Sequence, residues 1–173
     1  MAGQPSRLPP AMWRLLVVPP LSCVAKVVTH LPGFDGPLPF YLETGYVAVN
    51  EQAGIELFYY FVKSERDPAI DPVILWLTAG PGCSGLCGLV FEVGPVNYMV
   101  VPYNGTLPRL VSNPYSWTKV ANFLYLDNPA GVGFSYARNP KGYDGGDYLS
   151  SLQAIIFLKK VTKGIFDLLL CVE

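Results

Sequence analysis

Apolar and polar positions along the chain divide it into a series of short strands followed by one helix. Tyr46–Val49 and Ile55–Lys63 are β-like runs separated by Asn50-Glu-Gln-Ala-Gly, a pattern that predicts an antiparallel hairpin. Val73–Leu77 reads Val-Ile-Leu-Trp-Leu, five apolar residues that stop at a Gly/Pro cluster. Such a run predicts a buried strand. Phe123–Leu126 predicts another, running into the Gly/Pro-rich loop 128–133. Between them, Ser84–Glu92 predicts a short helix, and Asn97–Val111 a second hairpin turning at Asn104-Gly105. Asp147–Lys163 has helical spacing, with Leu149, Leu152, Ile156 and Val161 among its apolar positions. Asp147 at its start and Lys159, Lys160 and Lys163 near its end suit the helix dipole. Val28–Leu42, rich in Pro and Gly, reads as an extended arm.

Length and composition narrow the class. A chain of 173 residues implies one domain with a sizeable core. It is 51% hydrophobic and 14% charged, more apolar than an average soluble domain. A net charge of −1 without a basic run excludes nucleic acid as a partner. No window approaches ~18 uninterrupted apolar residues, so no transmembrane helix is predicted. Residues 1–25 read as a secretory signal peptide: Arg7 and Arg14 precede the apolar stretch Leu15–Ala25, which ends in small residues. Four cysteines, at 23, 83, 87 and 171, and a single His form no ligand set for a metal, and no cofactor is implied. Once a leader carrying Cys23 is removed, an odd number remains, so a free or mispaired thiol is expected. Asn104-Gly105-Thr106 is an N-glycosylation sequon at the tip of the predicted second hairpin; an ordinary Asn-Gly turn also explains its first two residues.

The stretch after Val73–Leu77 carries the candidate chemistry. Gly80, Pro81, Gly82 and Gly85 fall within six residues, at a strand end and a helix start. Backbone N–H groups gathered there stabilise negative charge, which makes the loop a candidate oxyanion or anion site. A Walker-type phosphate loop requires Lys followed by Ser or Thr, and no Lys lies between Lys63 and Lys119. A plain tight turn joining strand to helix remains the alternative.

Leu75-Trp-Leu-Thr-Ala-Gly-Pro-Gly-Cys-Ser84 resembles the Trp-Leu-x-Gly-Gly-Pro-Gly-Cys-Ser signature of serine carboxypeptidases. Leu31-Pro-Gly-Phe-Asp-Gly, Glu43-Thr-Gly-Tyr, Leu57-Phe-Tyr-Tyr-Phe-Val, Asn113-Pro-Tyr-Ser-Trp and Asp127-Asn-Pro-Ala-Gly-Val-Gly-Phe-Ser-Tyr fall in that family's order. The resemblance covers roughly 27–160 and is nearest to the plant serine carboxypeptidase-like proteins, including their acyltransferase branch. It implies an α/β fold, specifically an incomplete α/β-hydrolase fold holding the N-terminal hairpin, the central strands and the first helices. It also implies acyl transfer through a Ser nucleophile, with a peptide C-terminus or an acyl-glucose-type small molecule as partner, and a secreted or vacuolar location. By the same resemblance Gly80 supplies an oxyanion N–H, and Thr78, Ala79 and Gly82 line the substrate site. Ala79 stands where the family usually has Gly. Thr78 replaces an Asn that in the peptidases binds the substrate's C-terminal carboxylate, a change that looks like the acyltransferase branch. Cys83 matches a family cysteine whose partner lies in the second half of the fold, and it is expected to be unpaired here.

The nucleophile elbow of this fold, G-x-S-x-G followed by an acid and then a His, is not found in the chain. Gly133-Phe-Ser-Tyr-Ala137 is the nearest match, but no helix is predicted directly after Ser135. Ser84 belongs to the oxyanion loop, and the single His, His30, lies far upstream on the arm. No catalytic triad is therefore assigned. The expectation is a truncated chain, with 26–160 as the family portion and 161–173 as a divergent tail, inactive alone. The alternatives are a non-catalytic binding protein that keeps the substrate-recognition half, and a truncated gene-model product without function.

Overall fold

A computed structural model describes residues 25–78, 82–102 and 104–170, with side chains described as far as Thr162. The signal-peptide reading of residues 1–25 therefore lies almost wholly outside the described residues, as do Cys23 and Cys171.

The first predicted hairpin is the backbone of the sheet. β2 (Leu42–Asn50) and β3 (Ile55–Val62) pair antiparallel, with a register shift between Ala48 and Asn50. β2 is longer than the expected Tyr46–Val49, because Leu42 to Gly45 continue the ladder against Val62 to Tyr59, and β3 ends one residue before the expected Lys63. β1 (Lys26–Val28) adds to the outer side of β2, so the arm is anchored at both ends of 28–42 by strand pairing. β7 (Asn122–Leu126) pairs antiparallel with β3, and β4 (Val73–Trp76) pairs parallel with β7. The sheet order is β1-β2-β3-β7-β4, with a two-residue β8 (Tyr136–Ala137) on β3. β5 (Val96–Tyr98) and β6 (Leu110–Ser112) form the second hairpin. The helix α1 (Asp147–Leu170) is longer than the expected Asp147–Lys163, since the apolar run after Lys163 continues it.

Both faces of the sheet are covered, which explains why its central strands read as continuous apolar runs. All five residues of β7 are buried. Leu124 and Leu126 join Leu57, Tyr59 and Phe61 beneath Ala154, Phe157 and Val161 of α1. The alternate positions Phe123 and Tyr125 join Tyr60 and Val62 beneath Leu89, Val90, Val93 and Val96 of the 77–121 crossover. Leu31, Phe34, Leu38 and Phe40 of the arm pack against that second cluster. Phe157 is fully buried, its ring edge-on to Tyr59 at 5.8 Å. Truncating such a ring costs about 3–5 kcal/mol.

The charged turn 64–72 is locked by a buried carboxylate. Asp71 is 6% exposed and accepts from Ser64 Oγ at 2.5 Å, from the Asp67 backbone N–H at 3.2 Å and from the Arg66 guanidinium. Those bonds, the Arg66 one foremost and then that of Ser64, hold its carboxyl down to about 2. In the unfolded chain an Asp titrates near ~3.9. The native state therefore binds fewer protons between these values, and Asp71 adds stability that is complete above about pH 4 and lost as pH falls toward 2. Asp71→Asn is expected to flatten the acid limb of a stability–pH curve over that window. An unchanged limb in denaturant melts from pH 5 to 2 refutes the assignment.

β4 lies at the edge of the sheet, paired only with β7 among the described residues. Val73 is 40% and Leu77 52% exposed, and no charged side chain interrupts the strand. An apolar edge of this kind pairs with other chains. The isolated chain is expected to bind hydrophobic dyes and to elute as oligomers, partly reversible by reductant through the exposed Cys83. Val73→Lys should shift the profile toward monomer. A wild-type monomer with a cooperative two-state melt overturns this expectation.

Candidate functional site

The site grows from the C-terminal ends of the parallel pair β4 and β7, the position at which open α/β sheets bind ligands. β7 ends at Leu126, and the next residue, Asp127, is a fully buried carboxylate. A buried carboxylate requires hydrogen bonds to offset its lost hydration. Asp127 takes them from two loops. Its Oδ1 accepts from Ser84 Oγ at 2.6 Å and from the Gly85 N–H at 2.7 Å. Its Oδ2 accepts from the Phe134 N–H at 2.8 Å. One side chain thus ties the loop that follows β4 to the loop that follows β7.

One glycine of each motif is there for close approach. At Gly133, with φ +53°, an added Cβ would meet Asp127 Oδ2 at 2.0 Å. At Gly85 it would meet the backbone N of Leu126 at 3.0 Å. Ser84 also accepts from the Leu86 N–H at 3.1 Å, and the Cys87 N–H donates to the Ser84 carbonyl at 3.0 Å. Ser84 thereby starts the short helical segment predicted for 84–92. That segment closes as a π-helical turn over Gly88–Glu92, with the Val93 N–H reaching the Gly88 carbonyl at 3.3 Å.

The predicted site residues fare differently. Thr78 lies two residues past β4, half-buried, and its Oγ1 is buried with no hydrogen-bond partner among the described residues. Gly82 has φ +92° and open space around its Cα. Ala79 and Gly80, and with them the assigned oxyanion N–H, lie outside the described residues. Cys83 is exposed and free, and Cys87 is free and half-buried. Asn104 is exposed at its hairpin tip.

Ser135 ties two strands together. It is 4% exposed; its Oγ donates to the Asp127 carbonyl at 2.6 Å and accepts from the Phe58 N–H at 2.7 Å. It splices β3 to the end of β7, where the ladder has run out. His30 is exposed on the arm, its Nδ1 3.0 Å from Thr29 Oγ1.

Three features around the site went unread in the sequence. Asp127 is the first, although its position directly after the apolar run Phe123–Leu126 signals a buried acid. The second is a contact under the helical turn, where Trp76 Nε1 donates to Glu92 at 2.7 Å. The third is the buried Glu43, which accepts from Tyr41 and Tyr59 hydroxyls at 2.8 Å each. The Tyr60 and Tyr125 hydroxyls are buried beneath the turn, and burial pushes both well above the ordinary tyrosine range, with the charges of Asp127 and Glu92 adding to it respectively.

A family model described as serine carboxypeptidase matches residues 32–164. The chain belongs to the serine carboxypeptidase family. Serine carboxypeptidase-like 7 of Arabidopsis thaliana is 62% identical over 114 residues, which cover 66% of this chain and 26% of that protein. Serine carboxypeptidase-like 16 of the same plant is 53% identical over 136 residues, covering 79% and 31%. A solved prohormone-processing carboxypeptidase from Saccharomyces cerevisiae superposes with a TM-score of 0.59 at 26% identity, over 74% of this chain and 28% of that one. The sheet is accordingly part of the α/β-hydrolase fold of that family. The chain spans between a quarter and a third of the length of these relatives.

If Asp127 holds the two loops together, its removal strands two buried backbone donors and a hydroxyl. Asp127→Ala is expected to cost about 2–4 kcal/mol in denaturant unfolding. It should also speed proteolysis selectively within 78–86 and 128–135. A variant whose stability and cleavage pattern match the wild type removes the clamp from the account.

Proposed function

We propose that this chain forms the oxyanion-loop wall of a serine carboxypeptidase-type acyl-transfer site. In such a reaction a Ser hydroxyl attacks the substrate carbonyl, and the developing oxyanion is held by N–H groups, one of them from the loop after the third strand of the fold. Gly80 is the proposed donor, with Thr78, Ala79 and Gly82 as the substrate-facing wall. The observation that carries this reading is the Asp127 clamp, which fixes the end of that loop at the mouth of the parallel β4–β7 pair. The substrates proposed for the family portion are a peptide C-terminus or, given Thr78, an acyl-glucose-type ester.

The chain alone is proposed to be a non-turning-over wall. Ser135, the serine of the nearest match to the elbow, has its hydroxyl committed to Asp127 and Phe58. The one His of the chain, His30, stands on the arm. The same observations favour the binding-protein alternative in preference to a complete enzyme. We also infer entry into the secretory pathway behind residues 1–25, with 26–160 as the family portion and 161–173 as a divergent tail. Glycosylation at Asn104 belongs to the same reading. No helix among the described residues is long and apolar enough to cross a membrane.

The purified chain is expected to take up no fluorophosphonate probe and to hydrolyse a blocked dipeptide no faster than buffer, because the nucleophile and base supply most of the rate. Stoichiometric labelling that is abolished by Ser135→Ala would overturn the proposal and make Gly133–Ala137 an elbow.

A further inference from the structure

α1 is apolar on two sides. Ala154, Phe157 and Val161 pack against the sheet. With about 3.6 residues per turn, Tyr148, Leu152 and Ile155 share the opposite side. They are 79%, 40% and 49% exposed, with Leu149 beside them at 44%. All lie within one unbroken helix, so the helical period joins them into a single stripe. No residue from Tyr148 to Leu158 is charged. A helix that is apolar all round is one that is covered on every side.

The charges at the two ends of the stripe point to what covers it. Asp144 and Asp147 stand at its start and Lys159 at its end. All three are exposed, and among the described residues none has an ion-pair partner. Lys160, the next cation, is spent on the Ala48 carbonyl, to which its Nζ donates at 2.8 Å. One end of the stripe is thus acidic and the other basic. Tyr148, Leu152, Ile155 and Lys159 follow the alternating four- and three-residue spacing of a seam between two helices.

We propose that this face of α1 docks a second copy of the chain, the two helices packing antiparallel about a two-fold axis midway between Leu152 and Ile155. Such an interface presents the same patch on both copies, and this patch is self-complementary. Leu152 of one copy lies level with Ile155 of its partner, which buries the centre of the stripe. Tyr148 lies level with Lys159 of the partner, whose ammonium can rest on the ring. Asp147 is one residue further along, about 1.5 Å by the helical rise, within reach of the same lysine. A parallel arrangement sets Lys159 against Lys159 and Asp147 against Asp147, and like charges at that spacing repel. The sign of the end charges therefore selects the antiparallel pair.

The test uses the full chain carrying Val73→Lys, with reductant present, so that neither edge pairing at β4 nor thiol oxidation contributes. Sedimentation velocity over a wide range of concentration is expected to show a monomer–dimer equilibrium, a weak one because two turns from each copy make a small interface. Ile155→Lys should abolish the dimer and leave the thermal melt of the helix signal unchanged, since Ile155 is exposed. Lys159→Glu should weaken dimerisation by about ten-fold, because it sets like charges together, and Asp144→Lys with Asp147→Lys in the same chain should restore it. A monomer at every concentration overturns the proposal, and so does a dimer that survives Ile155→Lys. A charge swap that fails to restore the dimer overturns the antiparallel arrangement. A monomer that floats with phosphatidylcholine vesicles, and ceases to float as Ile155→Lys, would assign the face to a lipid surface and overturn the second copy as its occupant. Dimerisation that appears only after deletion of residues 1–24 would give the face to that segment, with the same consequence.

Discussion

A fully buried carboxylate with no ion-pair partner among the described residues is the constraint on which the site depends. Asp127 is fully buried, and among the described residues the hydrogen-bond partners of its carboxylate are a hydroxyl and two backbone N–H groups. Burying such a charge is costly until its oxygens are satisfied. The three donors come from two segments more than forty residues apart, so they satisfy it only when both loops are in place. The energetics of one ion thus become the geometry of two loops. The glycines flanking the donors follow from the same demand, because the carboxylate and the β7 backbone occupy the space of a Cβ at Gly133 and Gly85.

The sheet explains why the clamp sits where it does. β7 lies between β3 and β4 and is buried on both faces, so every backbone group of its five residues is sheltered from water. Its chain must turn away at its end, and the polar groups freed there have to pair locally. Asp127 and Ser135 do this: the Asp127 N–H donates to the Phe58 carbonyl at 3.0 Å, and Ser135 takes over both the Phe58 N–H and the Asp127 carbonyl. A serine that looks from its neighbours like a nucleophile is therefore a splice in the ladder. β4, by contrast, keeps one side open, and the apolar side chains that flank it remain partly in water.

Polar chemistry in this chain concentrates on one end of the sheet. The Ser84–Asp127 bond, the Trp76–Glu92 contact and the buried tyrosine hydroxyls all gather around the C-terminal ends of β4 and β7 and the π-helical turn. π-helical turns recur at functional sites. Here the turn brings Gly88 against the Trp76 ring, which an added Cβ would meet at 2.6 Å. It also places Glu92 within reach of the indole. The opposite end of the fold, by comparison, is devoted to anchorage, with Asp71, Arg66 and Ser64 closing the turn into β4.

The sequence by itself determined the elements and the family. The strand-like runs at Ile55–Lys63, Val73–Leu77 and Phe123–Leu126 are rich in β-branched or aromatic residues, and Asp147–Lys163 has a helical period. The Gly/Pro cluster after β4 and the motif after β7 were legible because backbone specialists leave a local signature. Hydrogen bonding across sequence distance leaves none. That Asp127 reaches back to Ser84 and Gly85, that Ser135 is spent on Phe58, and that Trp76 meets Glu92 depend on which strands become neighbours. The parallel pairing of β4 with β7 decides this, across a crossover of more than forty residues. Local propensity carries no information about such a pairing, because it is fixed by the burial of both faces of the sheet at once. Only the tertiary structure could therefore show that the two recognisable motifs of this chain are held by a single carboxylate.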